Sequence, residues 1–333
     1  MKILVCGGAG FIGSTFIKNY LKNNPNDTIT NLDNLTIGSN LQNLKLIENN
    51  PNYSFIKNDI KNEKTILDVS KDKDLIINFA AESHVDRSIA NPKPFIETNI
   101  LGTHSLLEAV RKYDKSFIHI STDEVYGDAK ENESFTEERN LNPSNPYSAT
   151  KASSDLLVSA YERTYGISSI TTRCTNNFGP YQFPEKLIPK TIIRLIKNLH
   201  VPLYGDGKQI RSWIHVYDHV NAIETIISKG KLGQIYNITA YEEITNEIIV
   251  KKILGYLEKS EDMINYVGDR PGHDKRYSIN SSKIENQLNW KPNFKFEDAL
   301  KQTVDWYLKN QSWWEPLIDK NTLHPQPWTL SWK

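Results

Sequence analysis

Cysteine is scarce: only Cys6 and Cys174 occur in 333 residues. One pair cannot frame a chain of this length, so a disulfide-built secreted scaffold is excluded. Each cysteine sits in an apolar run that reads as a buried strand, which predicts free thiols in a reducing compartment. Long apolar runs are missing as well. The first, Ile3-Leu4-Val5-Cys6, is too short for a signal core or a membrane span, and no later run approaches spanning length, so a cytoplasmic protein is expected. Charge of one sign is also lacking. Lys+Arg number 40 and Asp+Glu number 40, for a net charge of +0, with no basic run. That balance predicts neither a nucleic-acid nor a membrane partner. There are no repeats or low-complexity segments. Sequons such as Asn34-Leu35-Thr36 and Asn237-Ile238-Thr239 are what an Asn-rich chain produces by chance, and without a secretory signal they imply nothing. What remains is an ordinary globular composition, 38% hydrophobic and 24% charged, long enough for one large or two closely packed domains.

The first half alternates short apolar runs with amphipathic segments. The expected strands are Lys2–Cys6, Thr28–Leu32, Tyr53–Asn58, Asp74–Ala80, Ser116–Ser121 and Ser168–Cys174. Between them lie expected helices such as Ile12–Asn23, Pro94–Tyr113 and Pro146–Tyr165. Such alternation predicts an α/β fold with a doubly wound parallel sheet of the Rossmann type. Beyond Gly179 the pattern loosens, with punctuation at Pro180, Pro184, Pro189, Pro202, Gly205 and Gly207. A smaller C-terminal α/β lobe is expected there, giving residues 1–178 as a dinucleotide-binding domain and 179–333 as mainly a substrate lobe, with some segments returning to the first domain.

Gly7-Gly8-Ala9-Gly10-Phe11-Ile12-Gly13 directly follows the first strand and opens the first helix. In that context glycines allow a tight turn and let backbone N–H groups approach a pyrophosphate. The stretch fits G-x-G-x-x-G from Gly8 and also G-x-x-G-x-x-G from Gly7. Asp33 ends the second strand about twenty residues on, where a carboxylate accepts hydrogen bonds from the adenosine ribose. An acid there repels a 2′-phosphate and no Arg lies close by, so NAD is expected rather than NADP. Taken alone, Asp33 reads equally as a turn or capping acid. Asp59 and Ile60, ending the third strand, are placed to meet the adenine.

Ser121-Thr122-Asp123-Glu124-Val125-Tyr126-Gly127 leaves the fifth strand at the carboxyl edge of the sheet, where ligands bind in open α/β folds. Tyr147 and Lys151, at i and i+4, share one face of the helix that starts at Pro146. A free tyrosine, with a pKa of about 10, is a poor base at neutral pH, and a nearby ammonium favours its phenolate. The pair is common on helices; behind a glycine fingerprint and a Ser-Thr strand end it becomes informative.

With these residues the chain resembles the dTDP-glucose 4,6-dehydratases, within the nucleotide-sugar branch of the extended short-chain dehydrogenase/reductases. The likeness is carried by Ala80-Ala81-Glu82-Ser83-His84-Val85-Asp86-Arg87-Ser88, by the Ser121–Gly127 stretch, and by Pro146-Tyr147-Ser148-Ala149-Thr150-Lys151-Ala152-Ser153-Ser154-Asp155. It continues through Asn176-Asn177-Phe178-Gly179-Pro180-Tyr181, Phe183-Pro184-Glu185-Lys186-Leu187-Ile188-Pro189 and Asp269-Arg270-Pro271-Gly272-His273-Asp274, in family order over most of the chain. The resemblance implies an NAD-dependent lyase of deoxysugar biosynthesis, acting on dTDP-glucose or UDP-glucose as a homodimer through the Pro94–Tyr113 and Pro146–Tyr165 helices. It implies that Tyr147 deprotonates the sugar 4-hydroxyl, that Glu124 removes the C5 proton, that Asp123 protonates the departing 6-hydroxyl and that Thr122 positions the sugar. Two adjacent acids with divergent pKa values suit elimination and have no use in a 4-epimerase. An epimerase and a catalytically silent NAD-binding protein are the competing readings; the second is expected to lose Tyr147 or Lys151.

By the same resemblance Phe11, Ile12, Asn34, Ala80, Ala81, Ser83 and Thr98 join the cofactor site, and Ser83 also meets substrate. Asn176 and Asn177 bridge cofactor and sugar nucleotide. Lys186, Arg211 and Arg270 are the substrate cations, since guanidinium forks suit a pyrophosphate, though a solvated surface charge is the plain alternative for each. Leu187, Asn246 and His273 complete the nucleotide contacts, and Pro202-Leu203-Tyr204 lines the base pocket. The family's acid after the arginine equivalent to Arg211 is replaced by Ser212, which leaves open how that arginine is oriented. Thymine and uracil differ by one methyl, worth only about 1–3 kcal/mol to a pocket. His215 and His219, with helix-starting Asp218 between them and no third ligand, are read as structural rather than metal-binding. Trp306, Trp313 and Trp314 are read as packing or interface.

Overall fold

A computed structural model describes residues 1–331. Six strands, Lys2–Cys6 (β1), Thr28–Asp33 (β2), Tyr53–Lys57 (β3), Leu75–Asn78 (β4), Ser116–Thr122 (β5) and Ser169–Cys174 (β6), match the expected ones to within a residue or two. They are followed by Asn176–Phe178 (β7), Val201–Tyr204 (β8), Ile210–His215 (β9), Gln234–Ile238 (β10), Glu242–Thr245 (β11) and Ile264–Val267 (β12). The main sheet has the order β10-β6-β5-β4-β1-β2-β3 and every pair in it is parallel. This is the doubly wound arrangement, and the strand order reverses between β1 and β4, which opens a crevice at their carboxyl ends.

The strands read as unbroken apolar runs because both faces are covered. Ile3 and Val5 point to one side, where Phe16, Ile17 and Tyr20 of the Phe11–Asn23 helix and Val220, Ile223 and Ile226 of the Val216–Lys229 helix pack on them. Leu4 and Cys6 point to the other, against Leu106, Leu107, Val110 and Val158. A third core gathers Ile188, Ile192, Val201, Ile249, Ile253, Tyr307 and Trp314 around the three-stranded sheet β11-β9-β7 and the β12-β8 pair. Trp306 and Trp313 are partly buried against that core, and Trp314 is fully buried in it, so the tryptophan cluster is packing. The segment from Val216 to Ile238 returns to the first body, adding a helix to one face and β10 to the sheet edge.

One expected helix is not a simple one. The Pro94–Tyr113 segment begins as a short turn at Lys93–Phe95, widens into a π-helical stretch over Ile96–Gly102, and only then becomes regular over Thr103–Tyr113. Gly102 lies directly on Ile60; a Cβ there would stand 2.4 Å from the Ile60 Cδ1. Both cysteines are buried and free, as their strands predict. Asn237 is wholly buried, and its amide donates to the Phe135 carbonyl at 3.0 Å, so the second sequon is inaccessible in the folded chain.

Candidate active site

The glycine turn after β1 is built for close approach. Gly7 has a φ of +79°, and a Cβ on it would fall 2.5 Å from the Ala80 backbone nitrogen. A Cβ on Gly13 would fall 2.4 Å from the Gly7 carbonyl oxygen, so the Phe11–Asn23 helix can sit this near the strand only with glycine there. Gly7, Gly10, Phe11, Ile12 and Gly13 line a cavity of about 290 Å³ at the carboxyl edge of the sheet. Gly8 does not; it packs on Asn31 of β2 instead. Of the two ways to read the fingerprint, the one that starts at Gly7 faces the cavity. The unpaired N–H groups of that helix's first turn then form an anion-binding end.

Asp33, buried, is a turn acid that also faces the cavity. Its carboxylate accepts from the backbone N–H of Ala9 at 2.9 Å and of Leu35 at 2.8 Å, which ties β2 to the glycine turn. It also lines the cavity, where its remaining lone pairs can accept. Asn34 donates to Asp59 at 2.8 Å, and both line the same end of the cavity with Ile60. The neighbouring lining segment, Asn34 to Ser39, contains no Lys or Arg. Ala80, Ala81 and Ser83 follow β4, and Thr98 comes from the π-helical stretch, a distortion often found at functional sites. A glycine cradle closed to a Cβ at Gly7 and Gly13, with a carboxylate at the next strand end, fits a dinucleotide without a 2′-phosphate.

Thr122, Asp123, Glu124, Tyr147 and Lys151 line the same cavity. The Pro146–Tyr165 helix is fixed by a capping box: Asn145 Oδ1 accepts from the Ser148 N–H at 3.0 Å and Ser148 Oγ accepts from the Asn145 N–H at 3.2 Å. The Tyr147 N–H donates to Ser88 Oγ at 3.1 Å. The Thr122 hydroxyl donates to Asp123 Oδ1 at 3.2 Å and stands beside the phenol of Tyr147, where it favours the phenolate. Burial, with the Glu124 carboxylate adding to it, pushes the Asp123 pKa up from 3.8 to about 8. Asp123 is therefore a neutral acid at pH 7, and its Oδ2 is buried with no hydrogen-bond partner among the described residues. Glu124, half-buried, stands beside it.

Lys151 does not outweigh the groups that raise the phenol of Tyr147. Burial and then Glu124 hold the phenol well above its usual value. The Lys151 ammonium donates instead to the Ile120 carbonyl at 2.8 Å, and burial lowers its pKa to about 8.

A second cavity, about 160 Å³, adjoins the first and shares Ser83, Glu124, Asn176, Asn177 and Lys186 with it. Leu187, Pro202, Tyr204, Arg211, Asn246, Arg270 and His273 line it. Every site residue expected from sequence thus lines one of two adjoining cavities. Asn177, however, is already engaged: its amide donates to the Thr175 carbonyl at 3.0 Å and its Oδ1 faces His219 Nδ1 at 2.9 Å. Asn176 Oδ1 is the buried atom left without a partner among the described residues. Lys186 donates to the Ser83 carbonyl at 2.7 Å.

Arg211 needs no acid at position 212 to hold its orientation. Its guanidinium donates to the carbonyls of Ile210 at 2.7 Å and Asp274 at 2.9 Å, and lies 4.1 Å from the centre of the Tyr277 ring. Among the described residues no carboxylate pairs with it, so its charge is available to a ligand. Across the strand from Ser212, Glu243 binds Arg276 through both oxygens at 2.7 Å.

Sequence reasoning missed Asp86. It accepts from Arg270 at 3.0 Å and from the Tyr204 hydroxyl at 2.9 Å, fixing two cavity residues at once. Burial disfavours its charge, yet the cations around it hold the carboxyl well below its usual range. The motif Ala80–Ser88 contained it; only its partners, over a hundred residues away, were invisible. Arg87, paired with nearby Glu82 at 2.9 Å and with Glu185, 98 residues on, at 3.2 Å, was also missed, because the second partner lies far along the chain. Among the described residues no group of acids, cysteines and histidines is placed to hold a metal. Asp218 accepts from the N–H groups of Asn293 and Phe294 at 2.9 and 3.0 Å, and His215 stacks on Phe294, as structural residues do.

A profile of the GDP-mannose 4,6 dehydratase family matches residues 4–303. A dTDP-glucose 4,6-dehydratase of Escherichia coli is 46% identical, over 96% of this chain and 97% of that protein. One from Mycobacterium tuberculosis is 42% identical, over 96% and 97%. The dTDP-glucose 4,6-dehydratase of Bacillus anthracis, solved in complex with NAD, superposes with a TM-score of 0.90 at 46% identity, covering 96% of this chain and 100% of that one. A UDP-glucose 4-epimerase of Thermotoga maritima is similar in fold, TM-score 0.86, at 27% identity over 93% and 100%.

Proposed function

The chain belongs to the GDP-mannose 4,6 dehydratase family, and we propose that it converts dTDP-glucose to the 4-keto-6-deoxyglucose nucleotide with loss of water. The observation that carries this reading is the pair of adjacent acids beside Tyr147. One of them, Asp123, is kept protonated by burial and by its neighbour.

Bound NAD supplies a hydride acceptor for the C4 hydrogen and returns that hydride to C6, so the reaction is redox-neutral. The chain's own residues do the rest. Tyr147 takes the proton of the sugar 4-hydroxyl as a phenolate, a form that the Lys151 ammonium and the positive nicotinamide ring of bound NAD would favour over the neutral phenol of the unliganded chain. The 4-ketone acidifies C5–H, and the Glu124 carboxylate removes that proton. Asp123, neutral and with Oδ2 unpaired, gives its proton to the 6-hydroxyl as the C6–O bond breaks and water departs. Glu124 reprotonates C5. The second cavity takes the nucleotide: Arg211 and Arg270 meet the pyrophosphate, with Arg270 and Tyr204 aimed by Asp86. An epimerase needs neither acid and loses no water.

The test is to incubate the purified protein with dTDP-glucose and UDP-glucose separately and follow product mass. Loss of the mass of one water, with no consumption of added NAD, is the expected result, faster with dTDP-glucose. Unchanged mass with a new epimer refutes the dehydratase reading.

We read residues 1–178 as the cofactor-binding body, with the Val216–Ile238 segment returning to it, and the remainder of 179–333 as the substrate lobe. Among the described residues no helix is long and apolar enough to cross a membrane; together with two free thiols this supports a cytoplasmic enzyme. The Thr103–Tyr113 and Pro146–Tyr165 helices pack side by side. They and the π-helical stretch before them leave Leu101, Leu156 and Tyr165 at least half exposed. That exposed apolar face supports a homodimer in which a second copy would cover it; sedimentation at micromolar concentration is expected to return twice the monomer mass, and Leu156→Glu to return the monomer.

A further inference from the structure

The mechanism uses Glu124 as a base that must hold, and then release, one proton. The structure shows where that proton can go. Tyr277, buried, has its hydroxyl oxygen 3.3 Å from Glu124 Oε2 and 2.5 Å from Asp274 Oδ2. Asp274 is buried, and the same oxygen accepts from the hydroxyl of Ser144, which is exposed. The four side chains form a continuous line of oxygens from the half-buried base to the surface.

A phenol has one proton to give. With both carboxylates ionised it can bond only one of them, and it then offers a lone pair to the other. Protonation of Glu124 resolves this: Glu124 becomes a donor to the Tyr277 oxygen while Tyr277 donates to Asp274. Burial and the Glu124 carboxylate hold Tyr277 well above its usual pKa, so it stays neutral and works by passing protons rather than by ionising. Arg211, stacked on its ring, and the bond from the Arg211 guanidinium to the Asp274 backbone carbonyl keep the line fixed.

Resting on the dehydratase reading, we propose that Tyr277, Asp274 and Ser144 form a proton relay that exchanges the proton taken from C5 with solvent while the active site is covered by substrate. The step balances without any added reactant. The C5–H bond breaks and its proton goes to Glu124. A proton moves from Glu124 to Tyr277 and another from Tyr277 to Asp274, and Asp274 releases one through Ser144. The reverse transfers deliver a solvent proton to Glu124, which places it on C5.

The experiment is dehydration of dTDP-glucose in D2O, with deuterium at C5 and at C6 of the product read separately by NMR. With the native enzyme, most product molecules are expected to carry solvent deuterium at C5. In Tyr277→Phe, which keeps the ring under Arg211, the base has no outlet and returns the substrate's own hydrogen, so deuterated C5 falls to a minority. This partition is measured in whatever product forms and does not depend on rate. Asp274→Asn leaves the tyrosine hydroxyl beside Glu124 but removes the next acceptor, and is expected to lower the fraction likewise. A native deuterium fraction in both variants overturns the relay while leaving the dehydratase reading intact. Failure of the native enzyme to lose water overturns the dehydratase reading, and the relay with it.

Discussion

Asp123→Asn is expected to give a protein that oxidises the sugar and stops. Reduced nicotinamide accumulates on the enzyme, while formation of the dehydrated product falls by about 10²–10⁴-fold, the range for loss of a positioned general acid. The amide cannot donate to the 6-hydroxyl as an acid, yet Tyr147, Thr122 and Lys151, which serve the oxidation, remain. The same substitution is expected to raise stability. Burial first, and Glu124 second, lift the Asp123 pKa from 3.8 to about 8 in the fold. Between those values the native state holds a proton that the unfolded chain has lost. This group's contribution is thus complete below 3.8 and disappears as pH rises through about 8. An asparagine does not ionise, so the variant gains on the wild type as pH rises, by on the order of a few kcal/mol at pH 8. Denaturant melts at pH 5 and pH 8 measure the gain, and absorbance of reduced nicotinamide during a single turnover measures the stalled oxidation. Product formation within a few-fold of wild type removes Asp123 from the role of acid. In the wild type, product formation is expected to decline as pH passes about 8, because the acid form of Asp123 is then depleted.

The parts of this site that were legible from sequence are those in which function and local structure fall in one short segment. The glycine turn, Asp33 at a strand end and the Tyr147–Lys151 spacing are each set by a few consecutive residues and one periodicity. The doubly wound sheet was legible because runs such as Ile3–Cys6 and Leu75–Ile77 are apolar at every position, which only a sheet covered on both faces demands. What stayed hidden depends on pairs distant along the chain. Asp86 aims Arg270 across 184 residues, and Tyr277 stands beside Glu124 across 153. The π-helical stretch escaped notice because widening a turn leaves no residue signature beyond Gly102 and its contact with Ile60. The orientation of Arg211 was uncertain because its partners are backbone carbonyls, which any sequence supplies.

The largest stability effect is expected one helical turn beyond Lys151. Asp155 accepts from Arg173 Nε at 2.8 Å and faces His119 Nε2 at 3.4 Å, and all three residues are buried. Arg173 continues to the Tyr126 hydroxyl at 2.8 Å, and Tyr126 donates to Asn237 at 2.8 Å, so one carboxylate anchors the catalytic helix to β5, β6 and β10. Asp155→Ala leaves the guanidinium buried without its counter-ion and is expected to cost about 3–5 kcal/mol, read by urea denaturation. A merely missing contact predicts that any further change at Arg173 deepens the loss. An uncompensated buried charge predicts the opposite, so Asp155→Leu with Arg173→Met is expected to recover most of the stability lost by either alone. The acid limb reports the same dryness. Burial lowers the pKa of His119 and His215 to about 4 and that of His219 to about 3, from 6.5, so the unfolded state takes up protons that the native state refuses. Their contribution is present above 6.5 and is lost as pH falls toward 4, at up to about 4 kcal/mol per pH unit for three protons. If Asp155→Ala costs under about 1 kcal/mol, the pair is behaving as a solvated surface bridge. Water must then reach Arg173, and the platform beneath Tyr147 and Lys151 is held by the packing of the Pro146–Tyr165 helix alone.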